Sequence, residues 1–235
     1  MARQPNKDEI GMTTKGQAVP APGLAAPAAE TSLADWLERH QKLLLLAGGT
    51  LALAGFAAWF VVSSGQRKEM FASQQLGVAR SIAEAGDLPR AAGEFQRIAE
   101  GFRGTDAAQE AVISLNQVRL ISGQQELAVV GLQDFLASGP DPKFVAPASG
   151  LLGAALENAG KEAEAAEAYR RASEAASSPY LKADYLTQSG RAWMVAGQKD
   201  KAIAAYQAVV DSHGTTGFAT EAKVRLAELA ADGAR

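Results

Sequence analysis

Hydrophobic and polar residues follow three patterns along this chain, and each pattern predicts a different kind of structure. Residues 1–30 are rich in Ala, Pro and Gly and carry no periodic apolar stripe, which predicts a flexible tail. Residues 43–63 are predominantly apolar and contain no charged side chain, whereas from residue 67 onward apolar residues recur at helical spacing. The pattern predicts an all-α protein with domains at 1–30, 31–42, 43–63 and 67–235.

The apolar run Leu43–Val62 is twenty residues long. At ~1.5 Å of rise per residue it would cross the ~30 Å hydrocarbon core of a bilayer. A retained transmembrane helix is therefore the favoured interpretation. A cleavable signal peptide has a shorter apolar core of roughly 7–15 residues that lies nearer the N-terminus, and a buried soluble helix is more often amphipathic. Both remain alternatives.

Residues 31–42 precede this run and form an amphipathic pattern with Leu33, Trp36 and His40 on one helical face. We expect a juxtamembrane segment in the headgroup region, with Trp36 and Trp59 as membrane-interface residues. A simple continuation of the next helix is an equal alternative. The basic residues in the short tail favour a cytoplasmic N-terminus, which would place the C-terminal domain outside.

The C-terminal domain contains an internal repeat with a period of 37 residues. Glycines mark the period, an alanine follows each of them by five residues, and an aromatic residue or leucine follows by nine. The three series are Gly86, Gly123, Gly160 and Gly197; Ala91, Ala128, Ala165 and Ala202; and Phe95, Leu132, Tyr169 and Tyr206.

This spacing predicts four pairs of helices. Glycine tolerates the left-handed conformation that ends a first helix, and the alanine lets the second helix approach closely. The larger residue four positions after the alanine lies on the same face and would fill the space between helices. Residues 220–230 are predicted to be a final helix that closes the stack.

The pattern resembles the tetratricopeptide repeat, whose unit has 34 residues. Gly153 and Gly190 also match a glycine that this family favours inside its first helix, whereas Ala79 and Asn116 depart from it. The resemblance implies an α-solenoid whose concave face binds proteins. Carrying over the family's inner-face positions gives Arg80, Gln117, Asn158 and Arg191 as partner-binding residues, with Glu84, Ile121 and Thr187 nearby.

The order of tail, aromatic lead-in, membrane helix, basic exit and repeats is similar to the bacterial ancillary Sec translocon subunits. This resemblance implies a single-pass inner-membrane protein with a cytoplasmic N-terminus and a periplasmic repeat domain that binds translocon components or secreted clients. The alternative is a constitutive subunit of a large respiratory, photosynthetic or secretory membrane complex. A soluble periplasmic adaptor released by cleavage is a third possibility.

Composition argues against several other functions. The 235 residues include no Cys and only two His, which excludes zinc-thiolate and iron–sulfur sites and disulfides. Lys and Arg total 23 against 26 Asp and Glu, so no basic face for nucleic acid is expected. Neither a phosphate-binding loop nor a catalytic motif is present. We expect no enzyme activity, cofactor or metal; the expected partners are proteins and membrane lipid.

Overall fold

A computed structural model of the chain describes residues 33–233, and within this range the backbone is entirely helices and turns. The predicted tail at 1–30 lies outside the described residues. The described part contains nine helices: α1 (Leu33–Glu84), α2 (Leu88–Gly101), α3 (Asp106–Ile121), α4 (Gln125–Ala137), α5 (Pro142–Asn158), α6 (Glu162–Ala175), α7 (Pro179–Val195), α8 (Lys199–His213) and α9 (Gly217–Gly233).

The chain divides into two units, the first ending at Phe56 and the second beginning at Ala57. Helix α1 is continuous from Leu33 to Glu84, so no break separates residues 33–42 from the apolar segment. Every side chain from Leu43 to Val62 is exposed. Among residues 33–233, α1 is the one helix long and apolar enough to cross a membrane, judged by length and composition.

The second unit is an array of helix pairs. From α2 to α9 each helix packs against the next one along the chain, and α3 also contacts α5 while α7 contacts α9. The pairs are the end of α1 with α2, α3 with α4, α5 with α6, and α7 with α8, followed by α9. This arrangement confirms the predicted all-α solenoid of four pairs and a closing helix.

The turns inside the pairs are made as the sequence predicted. Gly86, Gly123, Gly160 and Gly197 have φ between +71° and +86°, which is the left-handed region that an L side chain rarely adopts. In each turn the amide after the glycine donates to a carbonyl five residues earlier, for example Asp87 to Ile82 at 3.2 Å. These bonds satisfy helix-end carbonyls that would otherwise lack donors.

In the third and fourth pairs a tyrosine ring packs on a glycine sixteen residues earlier. A Cβ atom on Gly153 would lie 2.6 Å from the ring of Tyr169, and one on Gly190 would lie 2.7 Å from that of Tyr206. Glycine is therefore required at these positions by close packing. The four alanines that follow the turn glycines are completely buried, as their predicted role requires.

The second pair has different residues at these two packing positions. Asn116 takes the place of the first-helix glycine and is buried, and Leu132 replaces the aromatic ring. Gly131 on α4 makes room for the Asn116 amide, because a Cβ atom there would clash with Asn116 Oδ1. The amide itself donates to the carbonyl of Val112 at 2.9 Å, so its burial is compensated.

Candidate protein-interaction surface

Residues one period apart occupy equivalent positions on the first helices of the pairs. One row consists of Arg80, Gln117, Ala154 and Arg191, and a second row, one turn later, consists of Glu84, Ile121, Asn158 and Val195. We call these eight residues the first-helix face. All of them are exposed except Ala154, which is half-buried. The face therefore combines charged, amide and aliphatic side chains that a partner could reach.

The start of this face forms a groove of about 350 Å³ between α1 and α3. Arg80, Glu84, Gln117 and Ile121 line it, so the structure brings together two of the four predicted contact residues and two of their predicted neighbours. The groove floor includes Phe95 of α2, whose ring belongs to the core. A partner here would meet polar walls and an apolar base.

Arg80 also forms an ion pair with Glu110 of α3. Both side chains are about half exposed (46 % each), so water screens the pair and its contribution to folding is small. The pair nevertheless orients the guanidinium at the edge of the groove. An anionic group on a partner would therefore meet a positioned Arg80 side chain rather than a freely moving one.

The other two predicted residues lie away from this groove. The Asn158 amide donates to the carbonyl of Ala154 in its own helix at 2.8 Å. Arg191 is exposed on α7 and lies near Tyr169 and Tyr206, where its positive charge opposes the rise in the pKa of each phenol caused chiefly by burial. The four residues share a helix face without forming one pocket.

One neighbour predicted from the sequence cannot contact a partner. Thr187 is buried at 3 % exposure, and its hydroxyl donates to the carbonyl of Ala183 at 2.8 Å. The residue that sequence reasoning missed is Val195, which is 70 % exposed. Counting one period of 37 residues from Asn158 would have found it.

A second group of grooves lies along the second helices of the pairs. The groove between α6 and α8 has a volume of about 420 Å³, and Trp193 and Leu186 of α7 contribute apolar lining. Lys201 Nζ lies 4.1 Å from the centre of the Trp193 ring, a cation–π contact. Arg170 bridges Glu167, at 2.8 Å, and Glu174 along the rim. The lining contains two acidic and two basic side chains (Glu167, Glu174, Arg170 and Lys201), so the groove has little net charge.

Trp36 and Trp59 are both on α1 and are 49 % and 59 % exposed. The Trp36 ring stacks on His40, with 4.8 Å between the ring centres. Such exposure is compatible with the predicted interface role, in which an indole ring sits between apolar chains and water. Among residues 33–233, no cluster of three or more His, Cys, Asp or Glu residues is arranged to hold a metal ion.

Comparison with known proteins bears on the fold. No family model and no curated protein sequence matches the chain. The structure titled "Crystal structure of MamA protein" is similar over 68 % of this chain and 86 % of that one, with 21 % identity and a TM-score of 0.50. The structure "MamA 41-end from Desulfovibrio magneticus RS-1" is 20 % identical, covers 62 % and 77 % of the two chains, and has a TM-score of 0.49. The first of these likenesses shows that the repeat region has the tetratricopeptide-type fold.

Proposed function

We propose that this protein is a membrane-anchored scaffold that binds partner proteins through the first-helix face. The observation that carries the proposal is the groove between α1 and α3, where Arg80, Gln117 and Ile121 are exposed side by side. Stacked helix pairs generate extended surfaces of this kind, and protein binding is their general use. The role is recognition and not catalysis.

The exposed apolar segment supports the anchoring. Twenty consecutive residues from Leu43 to Val62 are uncovered, including large side chains such as Phe56 and Phe60. An uninterrupted apolar surface of this size is unfavourable in water and favourable in the hydrocarbon of a bilayer. We propose that residues 43–63 cross the membrane once and that the helix pairs work at its surface.

The layout of the sequence supports a more specific version of this role. Its similarity to ancillary Sec translocon subunits favours the bacterial inner membrane, with a cytoplasmic N-terminus and the repeat domain in the periplasm. There the anchor would raise the local concentration of the scaffold around translocon components or emerging secreted proteins. The partners would then bind transiently.

Exposed apolar side chains favour a second candidate, a constitutive subunit of a large membrane complex. Ile121 and Val195 on the first-helix face are 64 % and 70 % exposed, and Leu127 and Val130 of α4 are each 54 % exposed. Permanent interfaces are more hydrophobic than transient ones. A constitutive subunit would co-purify in fixed stoichiometry after mild detergent extraction, whereas a client-binding scaffold would be recovered largely as a single chain.

Site-specific photocrosslinking tests the binding face. A photoreactive amino acid is placed at Gln117, in the groove, and in a matched protein at Gln207, an exposed residue of α8. We expect a discrete crosslinked partner from position 117, a much lower yield from position 207, and a loss of the product when Arg80→Ala is added. Equal yields of the same products at both positions would contradict the assignment of the binding face.

A further inference from the structure

Basic and aromatic side chains come together where α1 meets the turn between α2 and α3. Lys68 Nζ donates a hydrogen bond to the carbonyl oxygen of Arg103 at 2.7 Å. The rings of Phe71 and Phe102 lie 5.8 Å apart at an angle of 56°. We call the following side chains the basic–aromatic patch: Arg67, Lys68, Met70, Phe71, Phe102 and Arg103. All are exposed except Phe102, which is half-buried.

The patch lies close to the end of the apolar segment. Arg67 follows Val62 by five residues, or about 8 Å along a helix, which is within the headgroup layer if the segment spans the hydrocarbon core. Arg67 and Lys68 precede Phe71 by four and three residues and therefore share its side of α1. Helix side chains lean toward the N-terminus, so these groups extend toward the apolar segment.

The carboxylates around the patch are already engaged. Glu69 accepts hydrogen bonds from the amides of Asp106 at 2.7 Å and Ala107 at 3.1 Å, at the start of α3. Asp106 pairs with Lys143, and Glu100 accepts a bond from the side chain of Gln96 at 3.0 Å. Among the residues the structure describes, none forms an ion pair with Arg67, Lys68 or Arg103. Their charges are thus available to an external anion.

We propose that the basic–aromatic patch docks on the headgroups of anionic phospholipids in the membrane that the apolar segment crosses. The two Arg and the Lys would contact lipid phosphates, and Phe71 and Met70 would enter the apolar edge of the headgroup layer. The docking holds the turn between α2 and α3 at the lipid surface. This inference rests on the proposed membrane anchoring.

Fluorescence quenching in vesicles tests the docking on the full chain, which has no native Cys to interfere with labelling. A fluorophore is attached through Gly101→Cys, beside the patch, or through Ser212→Cys in α8, both exposed sites. The vesicles are phosphatidylcholine with or without phosphatidylglycerol and contain a phosphatidylcholine with a spin-labelled headgroup as quencher. We expect strong quenching at position 101 with phosphatidylglycerol and little at position 212.

Charge variants sharpen the test. Each basic residue near an anionic surface changes partitioning about fivefold, so Arg67→Gln/Lys68→Gln/Arg103→Gln should lower the ratio of docked to undocked protein by about a hundredfold and abolish the quenching. The matched triple variant Arg90→Gln/Lys199→Gln/Lys223→Gln removes the same charge from exposed sites elsewhere and should leave quenching intact. Circular dichroism melts of both variants confirm that the helices are retained.

The possible results distinguish a failure of the lipid docking from a failure of the membrane anchoring. Equal quenching at positions 101 and 212, or quenching that the patch variant does not change, would overturn lipid docking in a chain that is still integral to the vesicles. The basic–aromatic patch would then contact either a protein partner or solvent. Release of the wild-type chain from the vesicles by alkaline carbonate would instead refute the anchoring and, with it, the docking.

Discussion

The apolar segment of α1 and the helix α6 differ in where their apolar side chains go. Residues 43–62 present apolar side chains on every side of the helix, and none of them is buried. In α6 the apolar side chains Ala165, Tyr169 and Ala172 recur at helical spacing and are buried against neighbouring helices. The helix pairs thus supply their own apolar environment, whereas nothing among residues 33–233 covers the apolar segment. The comparison separates the side chains that stabilise the fold from those that we propose anchor the protein in a membrane.

Charges placed in the apolar segment should produce the largest effect. Leu45→Arg/Leu53→Arg should cost about 6–8 kcal/mol of membrane insertion, because each arginine replaces a favourable leucine in hydrocarbon. We expect the variant to be extracted by alkaline carbonate, while the thermal unfolding of the helix pairs is unchanged. Leu127→Arg/Val130→Arg, on the exposed side of α4, is the matched control and should stay in the membrane.

A methyl group added between α7 and α8 should lower the stability of the helix pairs without affecting the apolar segment. In Gly190→Ala the new Cβ would lie 2.7 Å from the buried Tyr206 ring, so we expect a loss of about 1–3 kcal/mol in the free energy of unfolding. Gly93→Ala in α2 meets no atom within 4 Å and should instead stabilise the protein by about 0.5–1 kcal/mol. Denaturant titration measures both; similar effects of the two substitutions would contradict the packing assignment.

The two equivalent tyrosines should respond differently to loss of the hydroxyl group. Tyr169 donates a hydrogen bond to Glu157 at 2.6 Å. In the next pair Met194 occupies the place of Glu157, and the buried Tyr206 hydroxyl has no hydrogen-bond partner among residues 33–233. We expect Tyr169→Phe to lower the free energy of unfolding by about 1.5 kcal/mol, and Tyr206→Phe to leave it unchanged or raise it. Chemical denaturation of the two variants provides the comparison, and equal losses would disprove it.

Alkaline pH should destabilise the helix pairs without affecting the apolar segment, and this test needs no mutation. Burial raises the pKa of Tyr169, Tyr185 and Tyr206 above the ordinary value near 10, so the folded state keeps protons that the unfolded state releases. Stability should be complete below pH 10 and fall above it by up to about 1.4 kcal/mol per pH unit for each tyrosine. The apolar segment has no titratable group, so the proposed membrane anchoring should not change over this pH range.

A control with Tyr169→Phe should unfold with a shallower dependence on pH, because one of the shifted phenols is then missing. Denaturant midpoints measured from pH 8 to pH 11 would show the difference. A wild-type midpoint that stays constant across this range would mean that the phenols ionise equally well in the folded and unfolded chains, contrary to their burial.

Much of the fold could be predicted from the sequence because its determinants are local. The turn glycines and the alanines that follow them repeat in one register, and each has the conformation or burial expected of it. The exchange between Asn116 and Gly131 could not be predicted, since it depends on two residues fifteen apart that meet only when α3 packs on α4. The first-helix face was located only in part. Helical periodicity assigns Arg80 and Gln117 to one side, but burial of Thr187 depends on the neighbouring helix.

The most direct test of the proposed anchoring is the labelling of single introduced cysteines in sealed cells. Gln17→Cys lies before the apolar segment and Ser212→Cys lies in α8, and the natural chain has no Cys. A membrane-impermeant maleimide is added before and after the membrane is permeabilised. We expect position 212 to react in intact spheroplasts and position 17 to react only after permeabilisation. Equal reaction of both positions before permeabilisation would contradict a membrane-crossing segment between them.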